Sequence, residues 1–150
     1  MTVNQDQIHA AVIVDAQGLI VGRLSSAVAK LLLQGKRVTV INAGKALLSG
    51  NRRSILGDFF ARLKIASIVH PRNSPIHYRT PEGILKKTIR GMLPRTKPSG
   101  LEAFRRLRVH TNVPIDLSSE GRMIIETAKP KRPLVTYLSL AEVSSMIGRN

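Results

Sequence analysis

Two short apolar runs separated by a helical pattern constrain the fold more than any other feature of this chain. The first run covers residues 8–15 and the second covers residues 38–41. Strand, helix and strand within roughly thirty residues form a βαβ unit, which predicts parallel strands and a right-handed crossover. The apolar residues between the runs have the spacing of one helix face. They are Leu24, Ala27, Val28, Leu31 and Leu32.

Helical patterns also dominate the middle of the chain. A second amphipathic helix is predicted over residues 52–66. Thr80 and Pro81 predict the start of a third helix, with Thr as the N-cap and Pro at the first helical position. Residues 99–102 have the pattern of a capping box and predict the start of a fourth helix. Residues 109–113 predict a further strand.

The last part of the chain has weaker patterns. Residues 123–126 are predicted to be extended, and residues 129–133 have the composition of a stiff, basic linker. A second capping box at residues 139–142 predicts a short terminal helix. We therefore divide the chain into an α/β core domain of residues 1–113 and a C-terminal extension of residues 114–150, packed on or near the core.

The charge of the chain limits the partners that it can bind. Lys and Arg number 24 against nine Asp and Glu, which gives a net charge of +15. Such an excess destabilises a compact state unless a polyanion neutralises it. Nucleic acid is the commonest such partner, and an anionic membrane is the second. No apolar run has the length needed to cross a bilayer, and the N-terminus lacks a signal-peptide pattern. We expect a cytoplasmic protein with no membrane partner.

The cations concentrate between Ile84 and His110, where Glu102 is the one acidic residue. Two helical patterns flank the loop of residues 91–98 in this segment, so an apolar side would pack and a cationic side would face a partner. The abundance of Arg favours phosphate recognition by the guanidinium group. The candidate RNA-binding residues are Arg23, Lys36, Arg37, Arg52, Arg53, Arg62, Lys64, Arg72, His77, Tyr78, Arg79, Lys86, Lys87, Arg90, Arg95, Lys97, Arg105, Arg106 and Arg108.

Aromatic residues are too few for a typical single-strand binder. They make up 3% of the chain, whereas such proteins stack bases on several aromatic rings. Phe59, Phe60 and Phe104 lie in helical apolar patterns and are expected in the core. Tyr78 and Tyr137 remain as candidate stacking residues. The composition therefore predicts a protein that reads the phosphate backbone and the shape of RNA and does not read unstacked bases.

No catalytic or cofactor motif is complete in the sequence. Gly18 and Gly22 lie between a strand and a helix, but the Gly-x-Gly-x-x-Gly pattern of dinucleotide binding is missing. Gly44 and Lys45 resemble the end of a P-loop, but Ala46 stands where Ser or Thr is required. The four histidines have no metal-site spacing, and the chain contains no cysteine. We expect no enzyme activity, no cofactor, no metal and no small-molecule substrate.

Several motifs together resemble the universal L-thirteen family of large-subunit ribosomal proteins. Its pattern is similar to this chain at residues 15–18 and 22–24, at 40–43, at 48–50, at 90–94 and at 107–109. Gly91-Met92-Leu93-Pro94 is the most specific of these matches. The short connection before the second apolar run resembles the archaeal and eukaryotic branch, and the lack of a long basic C-terminal extension favours an archaeal source.

The resemblance implies an α/β fold with a central, mostly parallel sheet flanked by helices, with basic loops and a C-terminal extension. It also implies a structural protein of the large ribosomal subunit that binds and clamps rRNA, contacts neighbouring ribosomal proteins and acts in subunit assembly. A DNA-binding or chromatin protein explains the charge equally well but lacks a helix-turn-helix or zinc-finger pattern. A small enzyme built on a Rossmann-like βαβ unit is the third hypothesis.

Overall fold

Two parallel strands, β1 (Ala11–Asp15) and β2 (Arg37–Ile41), lie at the centre of the main sheet. The computed structural model describes residues 11–115, 121–131 and 137–148. The parallel pairing of β1 with β2 confirms the predicted βαβ unit. The first three residues of the apolar run predicted over residues 8–15 lie outside the described residues.

The main sheet has four strands in the order β4-β2-β1-β5, and every neighbouring pair is parallel. β4 (Leu107–Val109) pairs with β2, and β5 (Arg122–Met123) pairs with β1. This arrangement confirms the predicted α/β fold with a mostly parallel sheet. The strand predicted over residues 109–113 shares only Val109 with the observed strand, because Leu107 is buried opposite Val38 and the pairing with β2 ends at Val109.

A second, two-stranded sheet joins the middle of the chain to its C-terminal part. β3 (Leu47–Ser49) pairs antiparallel with β6 (Tyr137–Ser139). β6 continues directly into α5 (Leu140–Gly148), whose Val143 and Ile147 are buried. This confirms the predicted terminal helix, and Ser139 Oγ accepts a hydrogen bond from Glu142 N (3.3 Å), as a capping box requires. The division of the chain after residue 113 stays a prediction.

The crossover helix α1 (Val21–Leu33) packs on the main sheet with a wide apolar face. Leu24, Val28 and Leu32 are completely buried. Ala27 and Leu31, which were also expected on this face, are only partly buried and lie at its edge. The inward face is therefore centred on residues at intervals of four along the helix, as its periodicity dictates.

Helix α2 (Arg52–Leu63) lies on the surface and has no fully buried residue. It begins where predicted and ends three residues earlier, at Leu63. Phe59 is partly buried against the core, but 44% of Phe60 is exposed. The prediction that Phe60 belongs to the core is wrong. Helix α2 contacts the core through a single line of side chains, which includes Phe59 and does not include Phe60.

Helices α3 (Pro81–Met92) and α4 (Pro98–Arg105) follow a loop. The predicted start of α3 is confirmed, since Thr80 Oγ1 accepts a hydrogen bond from Gly83 N (3.2 Å). The predicted capping box at residues 99–102 is wrong. α4 begins two residues earlier, with Lys97 as its N-cap in place of Ser99, because Pro98 has the fixed φ that suits a first helical position.

The carboxyl ends of β1 and β2 are joined by side chains from the motifs that carry the family resemblance. Asp15 Oδ1 accepts hydrogen bonds from Asn42 Nδ2 and from Gln17 N, both at 3.0 Å. Asn42 has a positive φ of 57°, and Gly18 turns the chain with a φ of 69°. Asp15, Asn42 and Gly18 therefore close this edge of the sheet and have a structural role.

The neighbouring residues Leu32 and Leu33 test the orientation of α1. Leu32 is completely buried, whereas half of Leu33 is exposed. We expect Leu32→Ala to lower the free energy of unfolding by about 2–5 kcal/mol, because it leaves a cavity in the core. We expect Leu33→Ala to change it by no more than about 0.5 kcal/mol. Chemical denaturation of both variants measures this difference, and equal losses would contradict the orientation of the helix.

Candidate nucleic-acid interface

Helix α3 separates apolar and cationic side chains onto opposite faces. Ile84, Leu85 and Ile89 are buried in the core. Lys87 is exposed on the other side, and Lys86 and Arg90 are partly exposed beside it. The segment from Ile84 to His110 therefore has the division into a packed side and a cationic side that the sequence predicts.

A cavity of about 490 Å³ lies between α2 and α3. Four candidate residues line it. They are Arg62, His77, Tyr78 and Lys87. Its remaining walls are mainly apolar, from α1, β3 and α2, with Asp58 as the carboxylate in the lining.

A larger cavity of about 750 Å³ lies between the end of α3 and α4. Arg90 and Arg95 line it together with apolar residues of the loop and of α4. A small cavity of about 180 Å³ lies beside it and shares Arg90 and Phe104 with it. The small cavity also shares Tyr78 and Lys87 with the first cavity, so the three cavities adjoin one another.

We call the three adjoining cavities together the cationic groove. The structure brings seven of the sequence-predicted residues together along this groove. They come from α2, from the loop between α2 and α3, from α3 and from the loop between α3 and α4. They are Arg62, His77, Tyr78, Lys86, Lys87, Arg90 and Arg95. Lys97 and Arg105 are exposed at the two ends of α4 and do not line the groove.

Two groove residues already have partners within the fold. His77 Nε2 lies 2.8 Å from the carbonyl oxygen of Ile65, which ties the two ends of the loop together. Tyr78 is partly buried against the core, and its ring lies 6.0 Å from Lys87 Nζ. Three more candidate cations are exposed between α2 and α3, with Lys64 and Arg72 before these two residues and Arg79 directly after them.

A second group of candidate cations lies at the other end of α1, away from the groove. Lys36 lies in the connection between α1 and β2, Arg37 is the first residue of β2, and Arg108 lies on β4 beside that strand. Arg106 belongs to this region but is only partly exposed. Its Nη2 donates a hydrogen bond to the carbonyl oxygen of Leu32 (2.9 Å), and its buried Nε has no partner among the described residues.

The contact from Arg106 adds a second hydrogen bond to a carbonyl group in the last turn of α1, which also accepts one from Gly35 N (3.1 Å). It also places a cation at the negative end of the helix dipole, which is favourable. Arg106 therefore has a role in the fold that the sequence pattern did not indicate, and its contact with RNA stays a prediction.

Three candidate arginines lie in the first turns of helices that contain no acidic residue there. Arg23 is in the first turn of α1, and its Nη1 donates to the carbonyl oxygen of Lys129 (3.3 Å). Arg52 and Arg53 are exposed in the first turn of α2, where Asn51 is the N-cap. A cation at this end opposes the helix dipole, so these positions are unfavourable for the isolated protein and favourable for a bound anion.

The candidate cations have no carboxylate partners within the described ranges. The ion pairs there join Asp15 to Arg122 (3.9 Å) and Glu126 to Lys129 (2.7 Å). Glu82, the acidic residue of α3, accepts hydrogen bonds from Thr111 N and Oγ1, both at 2.9 Å.

The described part of the chain contains no group of three His, Asp or Glu side chains arranged to hold a metal ion. Its helices are all too short or too polar to cross a membrane.

Sequence reasoning missed five residues that line the larger cavity. They are Leu93, Thr96, Gly100, Leu101 and Phe104. Phe104 was assigned to the core, but it is partly exposed and its ring lies 5.6 Å from Lys86 Nζ. Helical phase could have indicated this position, because Gly100 and Ala103 form the buried side of α4 and leave Leu101 and Phe104 together on its flank.

Comparison with known proteins agrees with this architecture. The profile of the ribosomal protein L13 family matches residues 9–116. A protein of Methanosphaera stadtmanae named large ribosomal subunit protein uL13 is 38% identical over 137 residues, which cover 91% of this chain and 96% of that protein. Proteins of the same name from Thermoplasma acidophilum and Archaeoglobus fulgidus are 44% and 40% identical, over 72% and 91% of this chain and over 77% and 86% of their own lengths.

The profile match covers most of the chain, and the relatives align along most of their own length. The family resemblance read from the sequence motifs is thereby confirmed. The chain belongs to the ribosomal protein L13 family.

Proposed function

We propose that this chain is a non-enzymatic structural constituent of the large ribosomal subunit in the cytoplasm. Its cationic surfaces bind phosphates from more than one rRNA helix, and its α/β core fixes the distance between them. Neighbouring ribosomal proteins are its other partners. By holding separate RNA helices together, the protein acts in the assembly of the subunit. The names of its relatives place them in that subunit and support the same place for this chain.

One observation carries the proposal. Lys and Arg outnumber Asp and Glu by 24 to nine, and the ion pairs within the described ranges do not include the candidate cations. Normal protein surfaces intersperse both signs of charge. An unpaired cationic surface on a folded core is what binding to the RNA backbone requires, since phosphate contacts provide most of the affinity.

Sedimentation tests the proposed location. We expect the protein in a cell lysate to migrate on a sucrose gradient with the large subunit and the intact ribosome, and to remain there after a moderate salt wash. An immunoblot of the fractions measures this. Recovery at the top of the gradient, or together with DNA, would contradict the proposal and favour the DNA-binding alternative.

Arg90 and Arg95 test the role of the cationic groove. Replacing both with Ala should weaken binding to large-subunit rRNA. It should also flatten the dependence of log affinity on log salt by about 0.7–0.9 for each lost phosphate contact. Filter binding across a salt series measures the slope, and thermal melting verifies that the fold is intact.

Lys129→Ala is the control for this double variant, because Lys129 is paired with Glu126 and lies outside the groove. We expect it to leave the slope unchanged. If the Arg90 and Arg95 variant also leaves the slope unchanged, these two residues do not belong to the interface.

Arg52 and Arg53 test whether cations at a helix N-terminus lower the stability of the free protein and increase its affinity for RNA. In the free protein, Arg52→Gln with Arg53→Gln should raise stability by about 0.3–1 kcal/mol for each residue, because it removes repulsion by the helix dipole. The same variant should bind rRNA more weakly.

Arg62→Gln is a control on the same helix. Arg62 lies in the last turn of α2, where a cation is favourable, so this substitution should lower the stability of the free protein. Thermal melts and filter binding measure both effects. Loss of stability in the Arg52 and Arg53 variant, with unchanged RNA binding, would show that these residues serve the fold alone.

A further inference from the structure

The larger cavity of the cationic groove has walls that phosphate binding alone does not explain. Leu93, Gly100, Leu101 and Phe104 line it, and its polar side chains are Arg90, Arg95 and Thr96. A phosphate group needs donors and gains nothing from an apolar floor. A volume of about 750 Å³ lies in the range of pockets that bind small organic groups.

The walls of this cavity are held in place by the fold. A Cβ atom on Gly100 would lie 2.1 Å from the carbonyl oxygen of Pro94, so the loop and the start of α4 are in direct contact. The same oxygen accepts a hydrogen bond from Lys97 N (3.1 Å), and Leu93 is buried. Because the residues around a preformed pocket are already ordered, binding a ligand there has a low entropic cost.

Apolar surface is exposed at this cavity in the most cationic part of the chain. The exposed fraction of Leu101 is 56%, while Arg90 and Arg95 stand in the same lining. No carboxylate lines the cavity among the described residues. The occupant that matches both properties has a flat apolar group attached to an anion, and an RNA nucleotide has both.

The small cavity beside it adds aromatic rings and two more cations. It is lined by Tyr78, Lys86, Lys87, Arg90 and Phe104. The ammonium groups of Lys86 and Lys87 lie over the rings of Phe104 and Tyr78 at 5.6 and 6.0 Å. Aromatic rings and Arg guanidinium planes are the groups on which proteins stack unpaired bases, and cations beside them bind the backbone.

We propose that the cavity between α3 and α4 binds one unstacked base of the RNA, and that Arg90 and Arg95 bind the phosphates next to it. The inference rests on the proposed function and adds to it. The amino-acid composition predicted that the protein reads only the phosphate backbone and the shape of RNA. A base pocket differs from that prediction, because the fold leaves Leu101 exposed and Phe104 partly exposed.

The test compares three octamers that carry the same phosphates. They are oligo(A), oligo(U) and an abasic octamer of tetrahydrofuran phosphates. The full chain should bind the base-bearing octamers at least about fivefold more tightly than the abasic one, as expected for one stacked base. Fluorescence anisotropy measures affinity, and methyl NMR should show shifts of Leu93 and Leu101 with the base-bearing octamers only.

Leu101→Ser removes one wall without changing the charge, and Leu33→Ser is its matched control at an equally exposed leucine on α1. We expect Leu101→Ser to abolish the preference for base-bearing octamers and to leave the affinity for the abasic octamer unchanged. We expect Leu33→Ser to change neither quantity.

Equal affinities for all three octamers, with unshifted Leu93 and Leu101 methyl signals, would overturn the base pocket while leaving the proposed function intact. Equal weakening of all octamers by Leu101→Ser would also overturn it, since the wall would then support the fold alone. Loss of binding to every octamer and to large-subunit rRNA would overturn the proposed function instead.

Discussion

The packing of α1 against the main sheet and against α3 is the contact on which the rest of the structure depends. Its residues Leu24, Val28 and Leu32 are removed from water completely, and each such side chain contributes roughly 1.5–3 kcal/mol through burial. The same helix is the crossover between the parallel strands β1 and β2. Because α3 buries one face against α1, its lysines and arginines have to face outward. The position of the cationic groove is therefore a consequence of core packing.

Charge repulsion adds to the conformational entropy that this core has to oppose. Asp15 and Glu82 are engaged by hydrogen bonds within the fold and do not neutralise the groove. Helix α2 has no fully buried residue and has two arginines in its first turn, so repulsion acts there on a helix with little burial to oppose it. In the proposed complex, RNA phosphates reverse the sign of this contribution, because each cation that repels its neighbours in the free protein attracts the backbone.

The sequence predicted the elements whose signals are local. The βαβ unit, the Thr80 N-cap and the terminal helix depend on periodicity and on capping residues within a few positions. Two of the errors occurred where distant contacts decide. The position of β4 follows its pairing with β2. The error at the start of α4 is local, because Pro98 suits the first helical position and makes Lys97 the N-cap. Phe60 is exposed because α2 packs along a narrow stripe, which depends on partners that no local pattern reveals.

In the candidate site too, the sequence indicates the type of each residue, and distant contacts determine its position. Arg105, Arg106 and Arg108 are indistinguishable in sequence, yet Arg106 alone reaches back to the end of α1, because β4 runs beside β2 and places it there. Charge counting therefore includes a cation that serves the fold and overlooks the apolar residues Leu101 and Phe104, which have no charge to count. A surface that combines unpaired cations with a preformed apolar cavity has the chemical character of a nucleotide-binding site, whereas cations alone have that of a backbone-binding site. Only the folded arrangement of α3, α4 and the loop between them distinguishes a nucleotide-binding site from a backbone-binding site.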